Sequence, residues 1–134
     1  MTHVGLGVSH QAVARYLADG RLDPGFGSAG VIVSAAPPSS RGTSISYGDS
    51  SAVTVAVDAK GRVVTGGFAW NFSTIDMALA RYPPTGVLDQ SFGRSGWMKV
   101  ERDTNGDEIG AVALQPDGGV VFAGSFDYQK VLAI

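Results

Sequence analysis

The feature that most constrains the fold of this chain is an internal repeat. Residues 12–31, AVARYLADGRLDPGFGSAGV, recur at 78–97 as ALARYPPTGVLDQSFGRSGW, with ten identities in twenty aligned positions and a spacing of 66 residues. A second pair, AVTVAVDAKGRVVTGGF at 52–68 and IGAVALQPDGGVVFAGS at 109–125, recurs at a spacing of 57 residues. Self-similarity at a fixed period indicates an array of equivalent structural units.

Each copy consists of short β-branched runs separated by glycine-containing turns. Two such hairpin patterns cover residues 53–66 and 111–123, and this punctuation is typical of antiparallel strands. The 19 glycines among 134 residues are about twice the average usage, which fits many tight turns. No window of ten or more residues shows an apolar stripe with helical spacing. The sequence therefore predicts an all-β fold.

The segments ALARY, GVLDQSFGRSG and AVALQPDGGVVFAG resemble the bacterial delta-60 repeat, whose tandem copies are taken to form β-propeller blades. The resemblance covers nearly the whole chain from Gln11 onward, although the first unit has Val57-Asp58-Ala59-Lys60 in place of a QPDG-like turn. It implies blades that are four-stranded antiparallel meanders, about two of them in a truncated fragment. The family offers no agreed catalytic residues to carry over.

With blade strands named A to D from the innermost outward, the pattern divides a single domain, residues 1–134, into three parts. Residues 10–35 are predicted to be strands C and D of a split blade, 51–101 a complete blade, and 108–134 strands A to C of a further blade. The last strand C is predicted from KVLAI at 130–134, which aligns with MALAR at 77–81.

An open array of two blades leaves strand edges and apolar faces uncovered. We therefore expect a homo-oligomer of three or four chains that closes a ring of six or eight blades. In such a ring, strands C and D at 12–35 would complete a neighbour's A–B hairpin.

Charge and hydropathy exclude some other partners. The net charge of −2 with scattered lysines and arginines argues against nucleic acid, and no apolar run approaches the roughly 18 residues of a membrane span. The N-terminus has neither a basic start nor a continuous apolar stretch, so we expect no signal peptide and a cytoplasmic chain, although the parent family is often secreted or surface-exposed.

The loops between strands B and C and between strands D and A differ between the two units, and binding on repeat scaffolds tends to lie in such loops. A meander brings these loops to one end of the sheets, which we call the variable-loop end. We expect a small-molecule or protein ligand there. The predicted ligand-binding residues are Trp70, Phe72 and Asp49, since an aromatic pair can stack on sugars or rings.

A divalent metal is a further hypothesis for the variable-loop end. Asp103, Asn105 and Asp107 have the alternating oxygen spacing of a calcium loop, but Leu114 stands where the loop would need its bidentate glutamate. The two histidines of the chain could join Asp49, Asp107 or Glu108 in binding zinc or manganese. The candidate metal ligands are His3, His10, Asp103, Asp107 and Glu108. The candidate catalytic residues are His3, His10, Asp107 and Glu108.

Two functions therefore stay open, and enzymatic activity is undecided. The first is a self-assembling β-propeller repeat module that binds a ligand or protein at its variable-loop end. The alternative is a metal-dependent hydrolase of esters, lactones or phosphotriesters, with its site at the mouth of an oligomeric propeller and zinc, manganese or calcium as cofactor. The chain has no cysteine, so a thiolate metal site or a cysteine nucleophile is excluded.

Overall fold

The computed structural model describes residues 9–37, 49–70, 74–100 and 106–126, and within these ranges all regular secondary structure is β-strand. The all-β prediction is confirmed. No helix long and apolar enough to cross a membrane occurs in the described ranges. The strands are β1 (Gln11–Ala14), β2 (Val31–Ser34), β3 (Ser50–Val57), β4 (Val63–Trp70), β5 (Ile75–Tyr82), β6 (Trp97–Val100), β7 (Glu108–Leu114) and β8 (Val120–Ser125).

The strands form three antiparallel sheets that follow the repeat. The central sheet is the four-stranded meander β3-β4-β5-β6, whose members are strands A to D of a blade. A two-stranded sheet β1-β2 stands on one side and a two-stranded sheet β7-β8 on the other. By the repeat spacings, β1 and β2 are equivalent to β5 and β6, whereas β7 and β8 are equivalent to β3 and β4.

The two A–B hairpins share a local irregularity. The register shifts between Ala52 and Thr54 in β3, and at the equivalent place, between Ile109 and Ala111, in β7. A glycine lies opposite each bulge, and a larger residue does not fit there. A Cβ on Gly67 would lie 2.1 Å from the carbonyl oxygen of Ser51. The equivalent Gly124 would make the same clash with the carbonyl oxygen of Glu108. Similar sequences therefore fold alike down to the bulge.

Two apolar layers hold the three sheets together, one on each face of the central sheet. Side chains of directly paired residues share a face of the sheet, so successive residues of each strand contribute alternately to the two layers. The layer toward β1-β2 contains Phe26, Ala36, Val63, Ala69, Ala78, Ala80, Tyr82 and Trp97. The layer toward β7-β8 contains Val64, Met77, Leu79 and Ile109, with Phe92, Val112, Leu114, Val120 and Phe122 packed against it.

A buried polar network lies within the first layer. The Gln11 side-chain amide donates to the Tyr82 hydroxyl, and the Thr65 hydroxyl donates to the Gln11 side-chain oxygen at 3.3 Å. The Ser50 hydroxyl accepts from the Gln11 backbone and donates to the Ser34 carbonyl oxygen. Burial raises the pKa of Tyr82, and its hydrogen bonds with Ser34 and Gln11 oppose this rise. Buried polar groups need such partners, so the network fixes β1-β2 against the central sheet.

Candidate functional site

The variable-loop end gathers the start of β3, the end of β4 and the start of β5 close to the start of β7. The Asp49 carboxylate accepts a hydrogen bond from the Ser9 backbone N–H, and the Asp49 carbonyl oxygen accepts one from Trp70 N–H at 2.7 Å. The Asp107 N–H donates to the Ile75 carbonyl oxygen at 3.3 Å. These contacts bring four segments with candidate residues to the same end of the sheets, namely those that carry His10, Asp49, Trp70 and Asp107.

Among the candidates on this end, exposure differs sharply. His10 is exposed next to Ser9, and Asp49, Trp70 and Glu108 are half-buried. Asp107 has no solvent-exposed surface, so its carboxylate is enclosed by protein rather than presented to a ligand in solvent. The candidates His3, Phe72 and Asp103 lie outside the described residues. Within the part of the chain that is described, no three residues of the types that bind metals form a cluster.

The opposite end carries the A–B turns, with a cavity of about 370 Å³ between them. The Asp58 carboxylate accepts from the backbone N–H groups of Lys60 and Arg62, each at 2.9 Å, and from Arg62 Nε at 2.6 Å. Desolvation of the carboxyl raises the pKa of Asp58, but the hydrogen bonds and charge from these partners outweigh it and lower that pKa. Asp58 thus stabilises the turn itself, although the turn lacks a QPDG-like sequence.

The C–D connections contain a repeated ion pair. The Arg15 Nε lies 2.8 Å from Asp23 Oδ2, the Arg15 guanidinium stands 4.5 Å above the centroid of the Phe26 ring, and Asp23 Oδ1 accepts from Gly25 N–H. The same contacts, with the same two distances for the pair and the ring, recur among Arg81, Asp89, Ser91 and Phe92. Asp23 and Asp89 each cap a turn by accepting a hydrogen bond from the backbone N–H two residues later. Each arginine pairs with the aspartate of its own C–D connection.

The Asp89 carboxylate titrates below its usual range. The hydrogen bond from the Ser91 hydroxyl, at 2.6 Å, is the strongest influence, and together with the Ser91 backbone N–H and Arg81 it lowers the pKa of Asp89, although desolvation of the carboxyl acts in the opposite direction. These partners all stabilise the charged form. The C–D connection is therefore held by a carboxylate that stays ionised.

Two apolar surfaces of the chain are uncovered, one on each side. The leading face lies on the side of β1-β2 and β3 that precedes the central sheet, and the trailing face lies on the far side of β6 and β7-β8. The exposed residues of the leading face are Tyr16, Leu22, Val33, Val55 and Val57. The exposed residues of the trailing face are Met98, Ala111, Ala113, Val121 and Ala123.

Several of these exposed residues have a repeat equivalent that a neighbouring sheet covers. Tyr16 is 62% exposed, whereas its equivalent Tyr82 is 0% exposed. Val121 is 52% exposed, whereas its equivalent Val64 is 2% exposed. The same contrast between an exposed and a half-buried member holds for Leu22 and Leu88, Met98 and Ile32, Val55 and Val112, and Val57 and Leu114. A neighbouring sheet therefore covers the repeat equivalents of these exposed residues.

Four-stranded antiparallel meanders that pack face to face through a repeated apolar surface define a β-propeller-type domain. The described residues contain one such meander between two two-stranded sheets that repeat parts of it, so the chain is of the β-propeller type.

One family model, described as "Domain of unknown function (DUF5122) beta-propeller", matches residues 2–26 and 61–92. Both matched segments end on the equivalent phenylalanines Phe26 and Phe92, so the similarity includes both copies of the start of the C–D connection. The match supports a β-propeller repeat protein. No curated protein and no solved structure matches the chain.

Proposed function

We propose that this chain is a β-propeller repeat module that assembles with copies of itself, the trailing face of one copy against the leading face of the next. The observation that carries the proposal is the pairing of exposed and covered equivalents, above all Tyr16 with Tyr82 and Val121 with Val64. Burial of apolar surface is the main favourable term in association, and contiguous exposed apolar patches mark interaction surfaces.

The two faces are complementary because the chain already contains the contact that they would form. Within one copy, Val64 and Gly66 of the central sheet pack against Val112 of β7. In the repeat, Val64 and Gly66 correspond to Val121 and Ala123 on the trailing face. Val112 corresponds to Val55 on the leading face. A second copy can therefore repeat the packing that joins the central sheet to β7-β8, with a small outward shift that makes room for the Cβ of Ala123 in place of Gly66.

The proposed contact joins two different surfaces, so it is heterologous and ends only when a ring closes. Each chain supplies the equivalent of two blades. We expect three chains to close a six-bladed ring or four to close an eight-bladed one. A closed ring removes the sheet edges that would otherwise invite aggregation.

Paired lysine substitutions test the proposal. Val121 is on the trailing face, whereas the similarly exposed Val87 has an exposed equivalent, Arg21, and lies on neither face. We expect Val121→Lys to convert the assembly to monomer, because it would bury an unpaired charge in the contact, and Val87→Lys to leave the mass unchanged. Sedimentation velocity and light scattering give the masses, with 13.8 kDa for one chain.

The mass of the unsubstituted protein decides the outcome. A mass of three or four chains that is lost only in Val121→Lys supports the proposal. A monomer at micromolar concentration, or an equal loss of assembly in Val87→Lys, contradicts it.

A ligand at the variable-loop end stays a prediction, supported by the convergence of Asp49, Trp70 and Glu108 there. The metal-dependent hydrolase also stays a prediction, since it depends in part on His3 and Asp103, which lie outside the described residues. Elemental analysis for bound metal and ester and phosphotriester turnover with and without a chelator would test it.

A further inference from the structure

We infer that assembly builds a hybrid blade in which β8 of one copy pairs antiparallel with β1 of the next, with Ala123 opposite Val13. The inference rests on the proposed self-assembly and specifies the strands and the register that join two copies. The partner of each open edge is thus a second copy of this chain.

Among the described strands, neither β1 nor β8 has a partner on the side where the repeat requires a neighbour. Within the described ranges, β1 pairs only with β2, and β8 pairs only with β7. Their equivalents β5 and β4 pair with each other in the central sheet. A free strand edge carries unpaired N–H and C=O groups that can pair with another chain. Because β4 pairs with β5, the repeat indicates that β8 would pair with a strand equivalent to β5, and β1 is such a strand.

The central sheet supplies the register. Gly66 of β4 lies opposite Leu79 of β5, and the repeat spacings transfer this pair to Ala123 of β8 and Val13 of β1. The same transfer places Val120 opposite Tyr16, from the observed pair Val63 and Tyr82. A slip by one residue would turn every side chain of β8 to the wrong face. The packing of the apolar layers therefore favours this register over the registers one residue away.

The space beside β1 also fits a neighbour's hairpin. A cavity of about 280 Å³ lies between β1 and the A–B hairpin of the central sheet, lined by residues 12–14, 52–55 and 65. The face of β7-β8 that would turn toward it carries Ala111, Ala113 and Ala123 beside Val121. Inside one copy the position of Ala123 is taken by Gly66, where a Cβ would lie 2.6 Å from Val112 Cγ2, so Ala123 of the neighbour would lie slightly farther from Val55 than Gly66 lies from Val112.

By sequence, residues 130–134 are an alternative partner for the edge of β8, because KVLAI also aligns with strand C. The β1 strand is the better match for the edge of β8. It is joined to β2, and it leads into the connection in which Arg15 pairs with Asp23 and stacks on Phe26. In KVLAI, Ile134 occupies the position of this arginine, so that segment lacks the cation of the repeated ion pair.

Cysteine cross-linking between two single variants tests the register, and the chain has no cysteine of its own. Ala123→Cys and Val13→Cys proteins are mixed, unfolded, refolded together and oxidised. Directly opposed residues have Cα atoms about 4.5–5.5 Å apart, which is within disulfide reach. We expect a disulfide-linked pair that contains one chain of each variant. Ala123→Cys mixed with Ala12→Cys is the control and should give little of this product, because Ala12 is on the opposite face of β1.

Mass and cross-linking separate the two proposals. A cross-link in the first mixture alone supports the hybrid blade. Masses of three or four chains without that cross-link, or with an equal one in the Ala12→Cys mixture, overturn the register while self-assembly stands. A monomeric protein overturns both. A disulfide formed within one chain by the double variant Ala123→Cys, Leu132→Cys, in preference to the link between copies, overturns the hybrid blade by showing that the chain's own C-terminal segment occupies the edge.

Discussion

Alanine at two equivalent glycines would measure how much the packing of neighbouring blades contributes to stability. Gly20 and Gly86 are 66 residues apart and have nearly the same backbone conformation, with φ of 84° and 82°. Their surroundings differ. A Cβ on Gly86 would lie 2.5 Å from the backbone nitrogen of Gly27, across the contact with β1-β2, whereas a Cβ on Gly20 would meet nothing within 4 Å.

The two substitutions share one cost and differ in a second. An alanine forced to positive φ costs about 1–2 kcal/mol at either site. Gly86→Ala must also displace backbone that the Gly27 N–H anchors by donating to the Thr85 carbonyl oxygen at 2.8 Å, and overpacking of this kind costs roughly 1–3 kcal/mol. We therefore expect the free energy of unfolding to fall by about 1–2 kcal/mol in Gly20→Ala and by about 2–5 kcal/mol in Gly86→Ala.

Urea unfolding followed by tryptophan fluorescence would measure both changes, since Trp70 and Trp97 belong to the central sheet. The measurement needs low protein concentration, where assembly contributes least. Equal losses in the two variants would refute the clash as the source of the difference. At higher concentration the loss in Gly20→Ala should grow, because assembly would bring Gly93 of another copy, the equivalent of Gly27, beside Gly20.

The buried polar network and the ionised carboxylates give two further predictions. Tyr82→Phe should lower the free energy of unfolding by about 1–3 kcal/mol, because it leaves the buried Gln11 amide without its acceptor. Tyr16→Phe should change it by less than about 0.5 kcal/mol. Denaturant unfolding compares the two variants, and similar losses would contradict the network's role. The lowered pKa of Asp89 means that its contribution is present above the unfolded pKa of about 3.9 and is lost as the pH falls through the folded value. Unfolding between pH 5 and pH 2 should therefore show a smaller loss of stability for Asp89→Asn than for the unsubstituted protein, and an identical or steeper loss would refute this.

The repeat predicted the sheets because similar stretches of chain form similar strands wherever they occur. The hairpin at 53–66 and its equivalent at 111–123 fold with the same bulge, which follows from the same spacing of glycine and apolar residues. Burial is a different matter. Tyr16 and Tyr82 stand in the same motif, ARY, yet one is exposed and the other enclosed, because burial depends on whether a neighbouring sheet is present.

The candidate site was harder to predict from residue types alone. Asp107 belongs to the acidic stretch ERDTNGDE, which by composition suggests a solvated loop, but its side chain is enclosed next to the start of β7. No local pattern indicates this burial, and the contact of the Asp107 N–H with the Ile75 carbonyl oxygen joins residues that are distant in sequence. The ion pairs of the ARY arginines could not be predicted from the motif either, because the partner aspartates follow eight residues later in an irregular segment.

The buried polar network has a consequence for how such an assembly would come apart. The exposed residues that define the leading and trailing faces are apolar apart from the Tyr16 hydroxyl, so the contacts between copies would be more apolar than the contact of β1-β2 with the central sheet. Apolar association weakens as water is chilled. Cold should therefore release whole chains from one another well before it parts β1-β2 from the sheet beside it.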